Sequence, residues 1–99
     1  MSVSELDRVL HQPVRIRIVA LIANLESCDY TTIRDTLELS DGHMTTHMRE
    51  LAKEKIINVK KQFIEGKPKT TYSLSKDGKK RLSEYLVQLQ DIIAMIPSH

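Results

Sequence analysis

Residues 40–56 read SDGHMTTHMRELAKEKI, and the spacing of side-chain types along them decides how the rest of the chain is read. Met44, Met48 and Leu51 stand four and three apart, which places them on one side of a helix repeating every ~3.6 residues. The opposite side carries Gly42, Thr45, Thr46, Arg49 and Lys53, all small, hydroxylated or cationic. A face of that composition has nothing to bury and offers hydrogen-bonding groups and positive charge outward. Ser40 supplies an N-cap oxygen, and Asp41 puts a negative charge beside the positive end of the helix dipole, so the helix is expected to begin there.

Immediately upstream, TTIRDTLEL (31–39) has the marks of a second, shorter helix. Thr31 or Thr32 is placed to cap it, Asp35 completes a Thr-x-x-Asp capping box with Thr32, and Ile33 and Leu37 form its apolar edge. Little more than Ser40 separates the two helices, so they must cross steeply. That is the pattern of a helix-turn-helix, whose second helix enters the DNA major groove. A helical hairpin in a small bundle is the competing reading of these two helices alone.

Downstream of residue 56 the period changes. INVKKQF (57–63) and KTTYSL (69–74) are rich in β-branched and aromatic types and read as two strands. The intervening IEGKP is expected to be a flexible loop, longer than a two-residue hairpin turn. Lys60, Lys61, Lys67 and Lys69 stand on or beside this hairpin. A lysine-rich edge could serve only to discourage strand aggregation, but directly after a helix-turn-helix the hairpin reads more simply as a wing along the phosphate backbone. Ser75 then caps a last helix, residues 76–96, stopped by Pro97. Its Leu82, Tyr85, Leu86, Leu89, Ile92, Ile93 and Ile96 follow a spacing of three and four, a stripe longer than so small a chain is expected to cover from its own core. Pairing with a second copy is the expectation, and Leu6, Val9 and Leu10 offer a second apolar strip to the same interface. Packing of that helix on the chain's own first helix is the alternative.

Toward the N-terminus, Ser4 is placed to cap a short helix, ELDRVLHQ (5–12), and Pro13 suits the first turn of the next, residues 14–25. That helix is apolar around much of its circumference and should be central, with Arg15 and Arg17 near its exposed start. Residues 26–30 are short and irregular, with an extended pair expected at Asp29 and Tyr30.

Ninety-nine residues, 40% of them hydrophobic, make one domain with a modest, mainly aliphatic core. The longest apolar run, residues 18–23, is far short of the ~18 needed to cross a bilayer. The acidic start MSVSELDRV is unlike a signal peptide, and a single cysteine forms no internal disulfide, so a cytoplasmic location with no membrane partner is expected. The formal net charge of +2 is unevenly spread: residues 1–39 carry −2, residues 40–81 carry +6, and residues 82–99 carry −2. Positive charge collects on the proposed reading helix and wing, which points to a polyanion.

The order of these elements resembles the small winged-helix transcriptional regulators of the MarR and ArsR kind. The residues that carry the resemblance are LDRVLHQPVRIRIVALI (6–22), CDYTTIRDTLELSDGHMTTHMRELAKEKII (28–57) and VKKQFIEGKPKTTYSLSKDGKKRL (59–82). The resemblance implies an α+β, mainly α fold: a single winged helix-turn-helix domain over residues 1–99, with N-terminal helices in 1–25, helix-turn-helix in 31–56, a two-stranded wing in 57–74, and a long C-terminal dimerisation helix in 75–96. It further implies a sequence-specific regulator, more often a repressor, that binds a pseudo-palindromic operator in double-stranded DNA as a homodimer, with the helix of residues 40–55 reading bases and the hairpin of residues 57–74 contacting phosphate or the minor groove. Carried over by position, Thr45 and Thr46 are the candidates for base-edge contacts, and Arg49 for a guanine or a phosphate. Gly42 and His43 lie at the end that enters the groove most deeply. Lys53, Lys61, Lys67 and Lys69 are candidates for phosphate, as are Thr31 and Thr32, although capping explains those two threonines equally well.

Other chemistries fit poorly. His43 and His47 have the spacing of two helical metal ligands, but HMTTH has threonine where HExxH has its general base, and no third ligand is near, so no metal or cofactor is expected. Cys28 stands near where metal-sensing ArsR relatives carry paired cysteines, yet it is alone; redox sensing by this thiol and a small-molecule effector between the terminal helices stay open. No Gly-rich phosphate loop or nucleophile elbow is present, so an enzyme is not expected. A winged helix used only for protein contact is the competing function, and it would lack the steep salt dependence of a phosphate binder.

Overall fold

The elements run α1 (Pro13–Leu25), β1 (Ser27–Asp29), α2 (Tyr30–Thr36), α3 (Asp41–Lys53), β2 (Ile57–Ile64), β3 (Lys67–Leu74) and α4 (Lys76–Met95). A computed structural model describes residues 5–98. The strands form one antiparallel sheet in the order β1-β3-β2. This is the mainly helical α+β winged-helix fold expected from the sequence. The sheet has a third strand in place of the expected two, because Ser27, Cys28 and Asp29 pair with Ser73, Tyr72 and Thr71.

Pro13 opens α1, and the Gln12 side chain accepts the Arg15 N–H at 2.7 Å to complete its cap. Ile18, Val19 and Ile22 bury the face that lies on the sheet and on α3, meeting Ile33, Met44, Met48, Leu51, Ile56, Ile57, Tyr72 and Leu74 in one core. The predicted cap Ser4 lies outside the described residues. Residues 8–10 form a turn rather than the predicted helix. Asp7 drives this turn, accepting the Val9 and Leu10 N–H groups, and Gln12 with Pro13 restarts the chain before a second turn can form. Arg15, expected near solvent, is half-buried beneath the turn and donates through Nε to the Val9 carbonyl at 2.7 Å.

The cap of α2 is Asp29, which accepts the Thr32 N–H at 2.9 Å, so Thr31 and Thr32 lie inside the helix and the predicted capping box does not form. The helices α2 and α3 are joined by residues 37–40, more than Ser40 alone. Glu38 takes a left-handed φ of 54°, and Leu39 N–H closes on the Arg34 carbonyl at 2.9 Å. The same closure ends α3 three residues before the predicted limit: Lys55 has φ 59°, its N–H reaches the Ala52 carbonyl, and Ile56 N–H reaches the Leu51 carbonyl. These are Schellman turns with Glu and Lys where glycine is usual. As predicted, Ser40 caps α3, accepting the His43 N–H at 3.1 Å.

The predicted flexible loop in the hairpin is instead a two-residue turn, Glu65–Gly66, with φ of 53° and 75° and Ile64 paired with Lys67. Two positive φ values mark a type I′ turn, whose twist matches that of the flanking strands. Pro68 is tolerated in β3 because β1 pairs only with Thr71–Ser73, leaving β3 an edge strand at Pro68.

At the far end of the hairpin the backbone of Ile56 receives the chain again. Its carbonyl accepts the Ser75 N–H at 2.9 Å; Ser75 Oγ donates to the Lys55 carbonyl at 2.6 Å and accepts the Gly78 N–H at 2.8 Å. A Cβ on Gly78 would lie 2.0 Å from the Ile56 oxygen. Gly78→Ala is therefore expected to lower unfolding free energy by about 1–3 kcal/mol or more. Gly42→Ala, with only Ser40 Oγ at 3.9 Å from its new methyl, should raise it by about 0.5 kcal/mol. Urea unfolding of the two variants checks the opposite signs.

Candidate nucleic-acid interface

The inner face of α3 is fixed by Met44, Met48 and Leu51, all buried. Its outer face carries the residues expected there: Gly42, His43, Thr45, Thr46, Arg49 and Lys53 are all exposed. Thr45 Oγ1 donates to the Asp41 carbonyl at 2.9 Å and Thr46 Oγ1 to the Gly42 carbonyl at 3.1 Å. Each hydroxyl has thus spent its proton on its own helix and presents lone pairs and a methyl outward. In the major groove such a group accepts from an adenine or cytosine amino group, or packs on a thymine methyl.

The start of α3 is tied to α2. Asp41 accepts the Tyr30 hydroxyl at 2.8 Å and the Arg34 guanidinium at 3.2 Å, and Arg34 lies over the Tyr30 ring. The Tyr30 bond, then that of Arg34, holds the Asp41 carboxyl below its ordinary pKa, and the same bond to Asp41 raises the Tyr30 phenol. The angle between the two helices is thereby pinned at the start of α3.

At the N-terminus of α2, Thr31 and Thr32 are exposed, but the Thr32 N–H is already committed to Asp29. A carboxylate stands where an incoming phosphate would need a donor, so these threonines offer hydroxyls rather than a helix-terminus anion site. Beside them an open cleft of about 470 Å³ separates α2 from the wing, lined by Asp29, Tyr30, Thr31, Ile64, Lys67, Pro68, Lys69 and Thr70. Lys67 and Lys69 pair with Ile64 and Gln62, on the sheet face they share with Lys60. Lys61 pairs with Thr70 and belongs to the opposite face. All four lysines are exposed. The wing also exposes Val59, Phe63 and Ile64, apolar side chains that the sequence reading left without a role. Phe63 could have been singled out by alternation, since it shares the register of buried Ile57 yet lies beyond the reach of the helices.

The imidazole of His47, half-buried at the edge of α3, accepts from Arg15 through Nδ1 at 3.4 Å. Burial, followed by the neighbouring Arg15 charge, lowers its pKa. Its ring centre lies 6.4 Å from that of His43. Among the described residues no group of three or more His, Cys, Asp or Glu is placed to hold a metal ion. Cys28 is buried in the core, and burial followed by the Asp29 charge raises its thiol pKa, the reverse of what a reactive thiolate needs. Among the described residues no helix is long and apolar enough to cross a membrane.

Sequence reasoning also missed the clamp behind the site. Arg81 of α4 donates to both oxygens of Asp7 and, at 3.1 Å, to Glu54 at the end of α3. Burial alone would raise the Asp7 carboxyl, but Arg81 and the Leu10 and Val9 N–H groups outweigh it and bring the pKa down. His11 Nδ1 meets the Tyr85 hydroxyl at 2.8 Å. Of the side chains expected at a dimer seam, Leu10 and Tyr85 are buried within the chain, and Leu6, Val9, Leu82 and Leu89 pack partly against its core. Ile92 is half-buried; Leu86, Ile93 and Ile96 are exposed, and Val87 and Met95 join them.

A buried scaffold that turns a hydroxyl-and-cation helix outward beside a lysine-bearing hairpin defines a winged-helix protein. Residues 14–93 match the winged helix DNA-binding domain family, and the chain belongs to that family. It is 27% identical over 82 residues to an uncharacterized protein of Methanocaldococcus jannaschii, across 83% of this chain and 89% of that one. Its fold is similar to that of a transcriptional regulator homologue from Pyrococcus horikoshii OT3, with a TM-score of 0.82, 23% identity, and coverage of 89% and 87% of the two chains. An ArsR family transcriptional regulator is similar at a TM-score of 0.62 and 13% identity, over 91% of this chain and 88% of that one. The resemblance to small winged-helix regulators read from the sequence is thus met.

Because His47 has a lowered pKa in the folded chain, the unfolded chain takes up its proton first as pH falls below the ordinary value of 6.5. Stability should be undiminished above that pH and decline as pH drops toward the folded value. His47→Gln should flatten the fall in melting temperature between neutral pH and roughly pH 5, measured by circular dichroism.

Proposed function

We propose that this chain is a sequence-specific regulator of transcription that reads double-stranded DNA with α3 and grips phosphate with the wing. The observation that carries the reading is the outer face of α3, where Thr45, Thr46 and Arg49 stand exposed with hydroxyl protons turned inward, next to the lysines of the wing. Thr45, Thr46 and Arg49 meet base edges, Gly42 and His43 let the helix start approach closely, and Lys53, Lys61, Lys67 and Lys69 neutralise phosphates. Thr31 and Thr32 line the backbone between helix and wing. The chain acts as one domain in the cytoplasm and represses by occupying its operator.

The working unit is a homodimer on a pseudo-palindromic site, each α3 in a major groove about one helical turn from its mate. Support comes from α4, where Leu86, Ile93 and Ile96 form an outward stripe that the described residues leave uncovered, Ile93 being 63% exposed. An apolar strip of that kind on a surface helix fits a second copy of itself.

Selection of bound fragments from genomic DNA at stated salt tests the first statement; recovery of no preferred sequence would overturn it. Against the selected site, Thr46→Ala with Arg49→Ala should cost about 1–3 kcal/mol of discrimination at the contacted bases. Lys67→Ala with Lys69→Ala should weaken all duplexes evenly and reduce the slope of log affinity against log salt by about 1.8. For the second statement, light scattering should give twice the chain mass for the parent protein and the single mass for Leu86→Glu with Ile93→Glu.

A further inference from the structure

The outer face of α3 is defined by what it lacks as much as by what it carries. The helix, DGHMTTHMRELAK, includes no asparagine or glutamine, the side chains that pair bidentately with adenine. Thr45 and Thr46 are both exposed, and their hydroxyl protons are committed to the helix itself, at 2.9 Å to the Asp41 carbonyl and 3.1 Å to that of Gly42. A threonine so bonded donates to guanine O6 or N7, or to thymine O4, only by giving up a bond it already has. The same bond draws Oγ1 back onto the preceding turn. Cγ2 occupies a different staggered position on Cβ, so the methyl is the part of each side chain left free to meet a base.

Gly42 supplies an independent observation. It lies within α3, where glycine costs stability relative to alanine. The fold does not call for it: a Cβ at this position would meet only Ser40 Oγ, at an ordinary 3.9 Å. Side chains of a helix lean toward its N-terminus, so Thr45 and Thr46, three and four residues on, lie over this bare turn. Side chains as short as threonine reach a base edge only where the helix backbone itself comes close, and the missing side chain at position 42 lets it do so. A glycine without a purpose in the fold has one against a ligand.

We propose that Thr45 and Thr46 read thymine by methyl contact: their Cγ2 groups pack on the C5-methyl groups that thymine presents in the major groove, with the bare turn at Gly42 seated against the base edges. This rests on the DNA-reading role above and deepens it by naming the chemical group recognised. Thymine is the one base with a methyl on its major-groove edge; cytosine presents an amino group and the purines present N7 with O6 or an amino group. The operator half-site therefore holds thymine opposite the first turns of α3.

The test uses the full chain and the tightest duplex recovered by selection from genomic DNA, remade with uracil in place of one thymine at a time. Uracil pairs as thymine does and lacks only the methyl. Fluorescence anisotropy should show about a fourfold loss of affinity at the thymines opposite Thr45 and Thr46, the worth of one buried methyl, and no change elsewhere. Thr45→Ser with Thr46→Ser keeps both hydroxyls and removes both methyls; it should bind the thymine duplex more weakly and no longer distinguish uracil. Thr45→Val with Thr46→Val keeps the methyls and should retain the uracil penalty. Gly42→Ala should fold at least as well as the parent yet bind about tenfold more weakly. Absence of any uracil penalty, or a penalty that survives the serine pair, overturns the proposal and leaves the DNA-reading role standing. Preference lost in the valine pair and kept in the serine pair assigns recognition to the hydroxyl oxygens and overturns it too, as does unaltered binding by Gly42→Ala. Recovery of no preferred duplex overturns the underlying role as well.

Discussion

The backbone carbonyl of Ile56 is the point on which the arrangement depends. The last turn of α3, the first residue of β2, the return of β3 and the start of α4 converge there, joined through Ser75 and the bare backbone of Gly78. Ile56 itself is buried beside Leu51, so the junction is both hydrogen-bonded and packed. A hairpin attached to a helix by a loose loop would swing. Attached here, the wing leaves the body in one direction, and its lysines hold a definite position relative to the outer face of α3.

What the sequence disclosed follows from the strength of each local signal. The helix α3 was legible because Met44, Met48 and Leu51 repeat with the helical period and Ser40 marks the start. The wing was legible from its β-branched run. The strand β1 was legible only at Asp29: the extended pair expected at Asp29 and Tyr30 is shifted back, because Tyr30 opens α2 and Ser27–Asp29 forms a strand only where β3 presents an edge to it. The cap of α2 was misplaced by nearby residues of equal capping chemistry: Asp29, Thr31 and Thr32 all have a side-chain oxygen able to accept an N–H, and only the path of the sheet selects Asp29. The two-residue turn was passed over because Glu65 is a poor fit to a left-handed φ, a local cost the strand pairing outweighs. Exposure of the outer face of α3 could be foreseen from composition; the inward turn of the Thr45 and Thr46 protons could not, because it depends on rotamers.

Charge is distributed by purpose as well as by sign. Two acids beside α3 and the wing are engaged, Asp41 by Tyr30 and Arg34 and Asp29 by the Thr32 N–H, while Glu65 at the wing turn stands exposed. The cations of the outer surface, Arg49, Lys53, Lys61, Lys67 and Lys69, form no ion pair with a described residue. The Asp29 and Asp41 carboxylates are thus tied into the scaffold while ammonium and guanidinium groups face outward. A modest net charge of +2 coexists with a strongly one-sided field.

The Arg81 guanidinium holds the N-terminal turn by one edge, through Asp7, and the tail of α3 by the other, through Glu54. Asp7 is largely shielded from water, with Arg81 and Glu54 about a third exposed, so one guanidinium ties the N-terminal turn, α4 and the end of α3 together. Two chains joined along α4 would hence have their helix spacing and pitch dictated from the seam, and a molecule that loosened that seam would detune both halves at once without ever reaching the groove.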